Sequence, residues 1–468
     1  MTIGLCSKGF TASKKSSSLE MDAAYLRFEK EQFDELEEAE ILTLLQSSDA
    51  ESSSDDEHAL APNKKVSSDP SSGDSSVCKA ASNLVNFMEG TGFLAVPYAL
   101  KEGGITTMAM FIIIPIIMWY IGTVLTECLY DEDDQGNRHR VRSGYKDFGD
   151  VLLPKYGGYV VSGIIQLDVF LMAVSYLVLF GSVMRNALPS VPITERMWIG
   201  IAGGLVLPTV FLKSLSQIAW LSATSMIALI AVVVYVLWYG AENTDEWDLS
   251  TLLFWDTGGV VTSFSILLYS YYANPIIPSV EESMADKAKF GRALSLAYVI
   301  SMSMKVSFAV FAFLSFDGNT NAVILNSLPS GPVHITVGSF FALNCILSYG
   351  LVIYPLFESV DKSLTTHIQN DKIPDFATNA VIRITVVVLS VAVAILVPSF
   401  LVMISFIGGI LDSPACYIFP IVLRFKLKYK RLKIQQVCVD SFVVIFGVIG
   451  MLSGVPVSIK TLINFYVQ

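Results

Sequence analysis

The chain has 468 residues, 53% hydrophobic and 16% charged. Globular domains carry about 25% charged residues, so the deficit excludes an ordinary soluble enzyme and points to a polytopic membrane protein. The net charge of −11 gathers at one end: the first 80 residues hold 16 acids against 8 bases, so the acidity describes a tail and not a binding site.

Residues 1–80 are rich in Ser, Asp and Glu, as in SSDAESSSDDE and SSDPSSGDSS. Such a stretch buries too little apolar area to offset ordering entropy. It is expected to be a disordered acidic cytosolic tail, ahead of a transmembrane domain over 81–468. Within it, Tyr25–Leu45 has apolar residues at helical spacing, and Glu40-Ile41-Leu42-Thr43-Leu44-Leu45 fits the acidic dileucine string Glu-x-x-x-Leu-Leu. That string predicts sorting adaptors as partners of the tail; the alternative is a fragment of an ordinary helix. The first 80 residues contain no apolar core of a cleavable signal peptide.

A bilayer core needs about 20 apolar residues per helix. Eleven segments qualify, centred on 81–100, 105–130, 160–184, 198–212, 218–239, 258–278, 293–316, 333–356, 380–397, 400–423 and 437–462. Two of them break in the middle at matching places. The first, ASNLVNFMEGTGFLAVPYAL, is interrupted at Glu89-Gly90-Thr91-Gly92; the sixth, GGVVTSFSILLYSYYANPIIP, around Tyr271–Pro275. Paired interruptions of this kind point to a binding site between repeats, because unwound backbone at membrane depth must be buried in protein or face a polar cavity.

Lys and Arg crowd into alternate loops. Arg138, Arg140, Arg142, Lys146 and Lys155 follow the second segment; Lys287, Lys289 and Arg292 the sixth; Lys362, Lys372 and Arg383 the eighth; RFKLKYKRLK the tenth. The positive-inside rule makes these loops cytosolic. The amino terminus is then cytosolic too, and an eleventh span puts the carboxyl terminus on the lumenal side.

An interrupted helix leaves N–H groups unpaired at the start of its second half, where they and the helix dipole suit a carboxylate. Gly90, Thr91 and Gly92 are the candidates for that role, with helix-packing glycines as the bland alternative. Glu89 is an acid at membrane depth, a functional candidate by default: it holds a substrate amine, carries a coupling proton, or is satisfied by freed backbone. Ser270, Tyr271, Tyr272 and Asn274 line the second break, where Pro275 frees an upstream carbonyl. Asp168 and Lys305 lie mid-span and join Glu89 as coupling candidates. A buried lysine supplies by its own charge what a bound cation otherwise would. The four histidines fall in tail or loops. No metal-ligand spacing, nucleotide loop or catalytic triad context occurs, so no enzyme activity, cofactor, metal or nucleic-acid partner is expected.

Asn86-x-x-x-Gly90, Leu94-x-x-Pro97-Tyr98-Ala99 and Gly103-Gly104 resemble the first helix of the amino acid/auxin permease family. Cys128-Leu129-Tyr130-Asp131-Glu132, Val141-Arg142, Leu207-Pro208, Pro278-Ser279-x-Glu281, Lys305 and Asn326-x-Leu328-Pro329 are similar to its vesicular inhibitory (GABA/glycine) and vacuolar branches. The resemblance implies an all-α membrane protein with a LeuT-like 5+5 inverted repeat plus an eleventh transmembrane helix. It further implies proton-coupled transport of small neutral amino acids in an acidic organelle: a vesicle, vacuole or lysosome. The partners would be an amino acid, protons and the lipid bilayer. The alternatives are an exporter of larger neutral amino acids and an amino acid sensor signalling through the tail.

Overall fold

The computed structural model describes residues 75–133, 135, 137–211, 215–244, 247, 252–367, 375–397 and 399–467, with side chains left aside over 215–223, 361–367, 375–377 and 453–467. The expectations for the acidic tail, its helix at Tyr25–Leu45 and the dileucine string lie outside the described residues. The first helix begins at Val77, where the Ser76 hydroxyl accepts the Lys79 N–H as an N-cap, a few residues ahead of the expected 81.

Nine helical segments among the described residues are long and apolar enough to cross a membrane. Two further segments of the expected eleven fall outside that measure. One is the first, which is broken into α1 (Val77–Met88), a 3-10 turn (Thr91–Ala95) and α2 (Val96–Gly103). The other is α6 (Glu195–Val210), only 16 residues long. The rest of the first half is α3 (Ile105–Glu127), a hairpin of β1 (Tyr130–Glu132) and β2 (Arg138–Arg140), α4 (Tyr145–Leu152) and α5 (Gly157–Ala187), with α7 (Leu215–Glu242) following α6. The second half opens on another broken helix: α8 (Thr257–Tyr271), a 3-10 turn (Asn274–Ile276) and α9 (Ile277–Glu282). Then come α10 (Phe290–Phe316), α11 (Pro332–His367), α12 (Asp375–Leu396), α13 (Phe400–Phe406), α14 (Phe419–Lys428) and α15 (Ile434–Val467).

Both expected breaks are present, and both second halves carry a proline in the first turn, Pro97 in α2 and Pro278 in α9. Proline suits that position because its missing N–H has no intrahelical partner there in any case. The two broken helices pack antiparallel through small residues. Gly92 meets Ser270, the Ser263 hydroxyl donates to the Ala99 carbonyl at 2.6 Å, and Gly103 meets Ser263. Small residues let membrane helices approach closely, and the antiparallel register is what an inverted repeat requires.

The tenth segment differs from expectation. Between α13 and α14 it widens into two π-helical stretches, Ile407–Asp412 and Pro414–Ile418. The glycines at 408 and 409 and Pro414 explain it: glycine tolerates the altered backbone, and proline removes an N–H and crowds the preceding turn. Gly408 is also set against the Ser265 carbonyl of α8, an approach that a β-carbon would prevent.

The hairpin β1–β2 was not expected either. It pairs Tyr130 with Arg140 and Glu132 with Arg138, and holds Arg140 against the end of the second broken helix. Arg140 lies 3.3 Å from Glu281 and 3.2 Å from Glu282, and donates to the Pro278 carbonyl at 3.2 Å. Tyr130 donates its hydroxyl to Glu281, and burial, reinforced by that bond, raises the tyrosine above its ordinary pKa. Ser75 exchanges backbone hydrogen bonds with Ser283 and Ala285 nearby. Removing one partner of a buried ion pair strands the other, at a cost of about 3–5 kcal/mol. Arg140→Gln is therefore expected to lower the thermal unfolding midpoint in detergent far more than Arg138→Gln, whose side chain lies over the Tyr130 ring. Equal, small shifts would show the latch to be inert.

The basic loops after the second and tenth segments share one end of the molecule, since Arg138 and Arg142 line a single cavity with Arg424, Lys428 and Arg431. Arg383 is a correction to that set. It is not a loop base: it lies buried in α12, donates to the Val210 carbonyl, and sits 4.9 Å from the centre of the Phe357 ring.

Candidate substrate and coupling site

The first break ends α1 at Met88 and turns the chain through Glu89 and Gly90, where φ is −75° and ψ −148°. The last carbonyls of α1 have no intrahelical donor. The Met88 carbonyl finds one in Lys305 of α10, whose ammonium donates to it at 3.1 Å. The same ammonium donates to Glu89 Oε1 at 3.0 Å and to the Ser301 hydroxyl at 2.7 Å, and lies 4.7 Å from the centre of the Tyr271 ring. Ser301 in turn donates to Glu89 Oε1 at 2.6 Å. Both charged side chains are fully buried. Lys305 is thus a built-in cation that caps a helix end and neutralises an acid at membrane depth. Glu89 Oε2 is buried and has no hydrogen-bond partner.

Directly after Glu89, the second half of the helix starts. The Tyr176 hydroxyl of α5 is turned toward the Thr91 N–H and fills the space in front of Gly90, where a β-carbon would lie 2.5 Å from it. The Thr91 side chain is engaged in a closed ring of hydroxyls: 2.7 Å from Tyr269 and 3.1 Å from Ser175, with Ser175 and Tyr269 2.8 Å apart. Gly92 is occupied by helix contact, because a β-carbon there would lie 2.9 Å from Ser270 Cα and from Tyr269 Cδ1. The start of the second half-helix is therefore bounded by Gly90, Thr91 and Tyr176, and Gly92 serves the close approach of the two broken helices.

The second break divides the remaining candidates into two groups. Ser270 and Tyr271 face the first break: Ser270 lies against Gly92, and Tyr271 lies under Lys305. Tyr272 and Asn274 lie on the other side with Asp168. The Asn274 carbonyl accepts the Tyr145 hydroxyl at 2.7 Å, and its side-chain amide is buried without a partner. Lys305 and Glu89 come together as a pair, but Asp168 stands apart from them, beside Tyr272 and Asp412.

Ser175 and Tyr176 escaped the sequence reading of the site, because they sit in an apolar span, where a hydroxyl-bearing pair reads as core filling. Asp412 is an acid within the tenth segment, but nothing in the sequence supplies its partner.

Two broken helices packed antiparallel around buried charge are the arrangement an inverted repeat produces, and the likeness to solved structures agrees with that fold. The chain superposes on Mhp1, a nucleobase-cation-symport-1 family transporter in a closed conformation, with a TM-score of 0.52 at 10% identity, over 85% of this chain and 93% of that one. The LeuT-like fold expected from the sequence is therefore present. A family model described as transmembrane amino acid transporter protein matches residues 73–460. The chain belongs to that family, and it is a multi-pass membrane transporter rather than an enzyme. Among its relatives, the vesicular inhibitory amino acid transporter of Xenopus tropicalis is 28% identical over 83% of this chain and 77% of its own length. The amino acid transporter AVT1J of Arabidopsis thaliana is 24% identical over 83% and 92%.

Proposed function

We propose that the chain moves small neutral amino acids across the membrane of an acidic organelle, driven by the proton gradient. The observation that carries this reading is the first break. There a free, buried carboxylate oxygen, Glu89 Oε2, stands next to the N-terminal end of a half-helix at Gly90 and Thr91. An amino acid zwitterion presents the complementary pair, with its ammonium to Glu89 and its carboxylate to the N–H groups and the Tyr176 hydroxyl. Lys305 holds Glu89 in place and supplies the fixed positive charge at the end of α1, which removes the need for a bound metal cation there. The enclosed break favours small side chains: Thr91, Ser270 and Tyr271 are all buried. The name of the vesicular relative, an inhibitory amino acid transporter, supports a small amino acid of that kind.

The basic end of the molecule is assigned to the cytosol by the positive-inside rule, which places the amino terminus there and the carboxyl terminus in the lumen. The test of the reading is uptake by the full chain in proteoliposomes with an imposed pH gradient, screened against the common amino acids and GABA with sodium absent. Accumulation of glycine, alanine or GABA that collapses with a protonophore is expected. Accumulation that requires sodium, or none of any amino acid, would overturn it.

The dileucine string is proposed as the address. Leu44→Ala with Leu45→Ala is expected to move the protein to the plasma membrane, seen by surface biotinylation, with uptake per molecule unchanged. Unaltered organelle residence would leave the string as part of a helix.

A further inference from the structure

A second polar centre lies in the membrane core, apart from the Glu89–Lys305 pair. Asp168 of α5 and Asp412, at the end of the π-helical stretch of the tenth segment, are both fully buried and close enough to interact. Their polar contacts are with each other and with the Tyr272 hydroxyl, and no ion pair among the described residues includes either acid. Around them the fold directs hydroxyls and a thiol, not cations. Tyr272 of the second break faces Asp168, Tyr145 comes from α4, Tyr269 from α8, and Cys416 and Tyr417 from the second π stretch. The Tyr417 hydroxyl is itself buried without a partner. Two carboxylates in contact away from water cannot both stay ionised unless something positive joins them. Every other buried acid paired in this core has a base: Glu89 has Lys305, Glu281 has Arg140, and Asp440 has Arg424.

We infer that Asp168 and Asp412 share one exchangeable proton and are the site where proton movement is coupled to substrate movement. This rests on the proton-driven reading above and assigns its proton to named groups. The placement suits the task. Asp168 is two helical turns from Ser175 and Tyr176, which touch the first break. Tyr272 is the first residue after α8 unwinds. Asp412 ends a π segment, the kind of irregularity that marks functional sites in helices. A proton entering the pair therefore acts on α5, the second break and the tenth segment at once, the elements that enclose the substrate. Glu89 is left free for substrate, because its charge is already balanced by Lys305.

The test uses purified full chain in proteoliposomes, with labelled glycine and GABA as probes. Two modes are compared: accumulation under a pH gradient, and exchange at equal pH, which moves no net proton. A one-unit gradient supports about tenfold accumulation per coupled proton. Asp412→Asn and Asp168→Asn are each expected to keep exchange and lose that accumulation entirely, and Asp412→Glu to restore part of it. Accumulation with unchanged gradient dependence in both Asn variants would overturn the assignment while leaving proton drive intact. Equal loss of both modes in all three variants would overturn it in favour of a structural role. Failure of the wild type to respond to the pH gradient while exchange persists would overturn the proton reading itself, and this assignment with it.

Discussion

Gly90→Leu is expected to abolish uptake of every substrate while the protein still folds and reaches the membrane. The backbone at Gly90 has a negative φ of −75°, so the effect is one of space. A β-carbon there would stand 2.5 Å from the Tyr176 hydroxyl and 3.5 Å from the Phe87 carbonyl. Leucine then drives Tyr176 off the Thr91 N–H and fills the place assigned to the substrate carboxylate. Overpacking of one site costs about 1–3 kcal/mol, which a large membrane protein survives. A displacement of about 1 Å at a reacting or binding centre costs about a hundredfold, and leucine demands more than that. Gly90→Ala should be milder, because the clash is with the far end of one side chain, and Tyr176→Phe combined with Gly90→Ala should recover space but not the hydroxyl. Normal uptake by Gly90→Leu, measured in proteoliposomes at matched protein density, would remove Gly90 from the site.

The two broken helices were legible because glycine and proline interrupt apolar runs in a way no continuous span needs. Glu89-Gly90-Thr91-Gly92 and Tyr271–Pro275 carry that signal on their own. The division of labour inside the site was not legible. Gly90 and Gly92 look equivalent in sequence, yet one faces Tyr176 and the other lies against Ser270, a distinction made by which helix packs on which side. Asp168 and Lys305 likewise read as members of one coupling set, because each is a charge at mid-span. The fold pairs Lys305 with Glu89 and Asp168 with Asp412, and only tertiary packing decides such partners. The hairpin at Tyr130–Arg140 was hidden because its three-residue strands show no apolar alternation; it is held by Arg140 and Tyr130 on Glu281. The π stretches left a trace in Gly408, Gly409 and Pro414, but that string is compatible with an ordinary membrane helix.

Removing the charge of Lys305 should be the most damaging single change in the core. Its ammonium joins Glu89, Ser301 and the Met88 carbonyl, so Lys305→Met strands a buried carboxylate and a helix-end carbonyl together. Breaking one partner of a buried ion pair costs about 3–5 kcal/mol, and the loss of the helix cap adds to it. Glu89→Gln should cost less, because the amide keeps a carbonyl oxygen for Ser301 and Lys305 while leaving the ammonium uncompensated. The double variant, Glu89→Gln with Lys305→Met, is expected to be more stable than Lys305→Met alone, since neither charge is then unpaired. Neighbours of this kind couple by about 0.5–3 kcal/mol in double-mutant cycles, which thermal unfolding in detergent resolves. Transport should follow a different order. Lys305→Met and the double variant should both be inactive, because without Lys305 neither residue 89 nor the end of α1 is held in place for the substrate. Glu89→Gln should retain exchange at a raised KM with its gradient dependence unchanged, because the coupling proton is assigned elsewhere. Loss of gradient-driven accumulation with KM unchanged in Glu89→Gln would instead make Glu89 the proton carrier. Additive stabilities across the cycle would show that Glu89 and Lys305 do not act as a pair, and the account of the first break as a self-neutralised zwitterion site would fall with them.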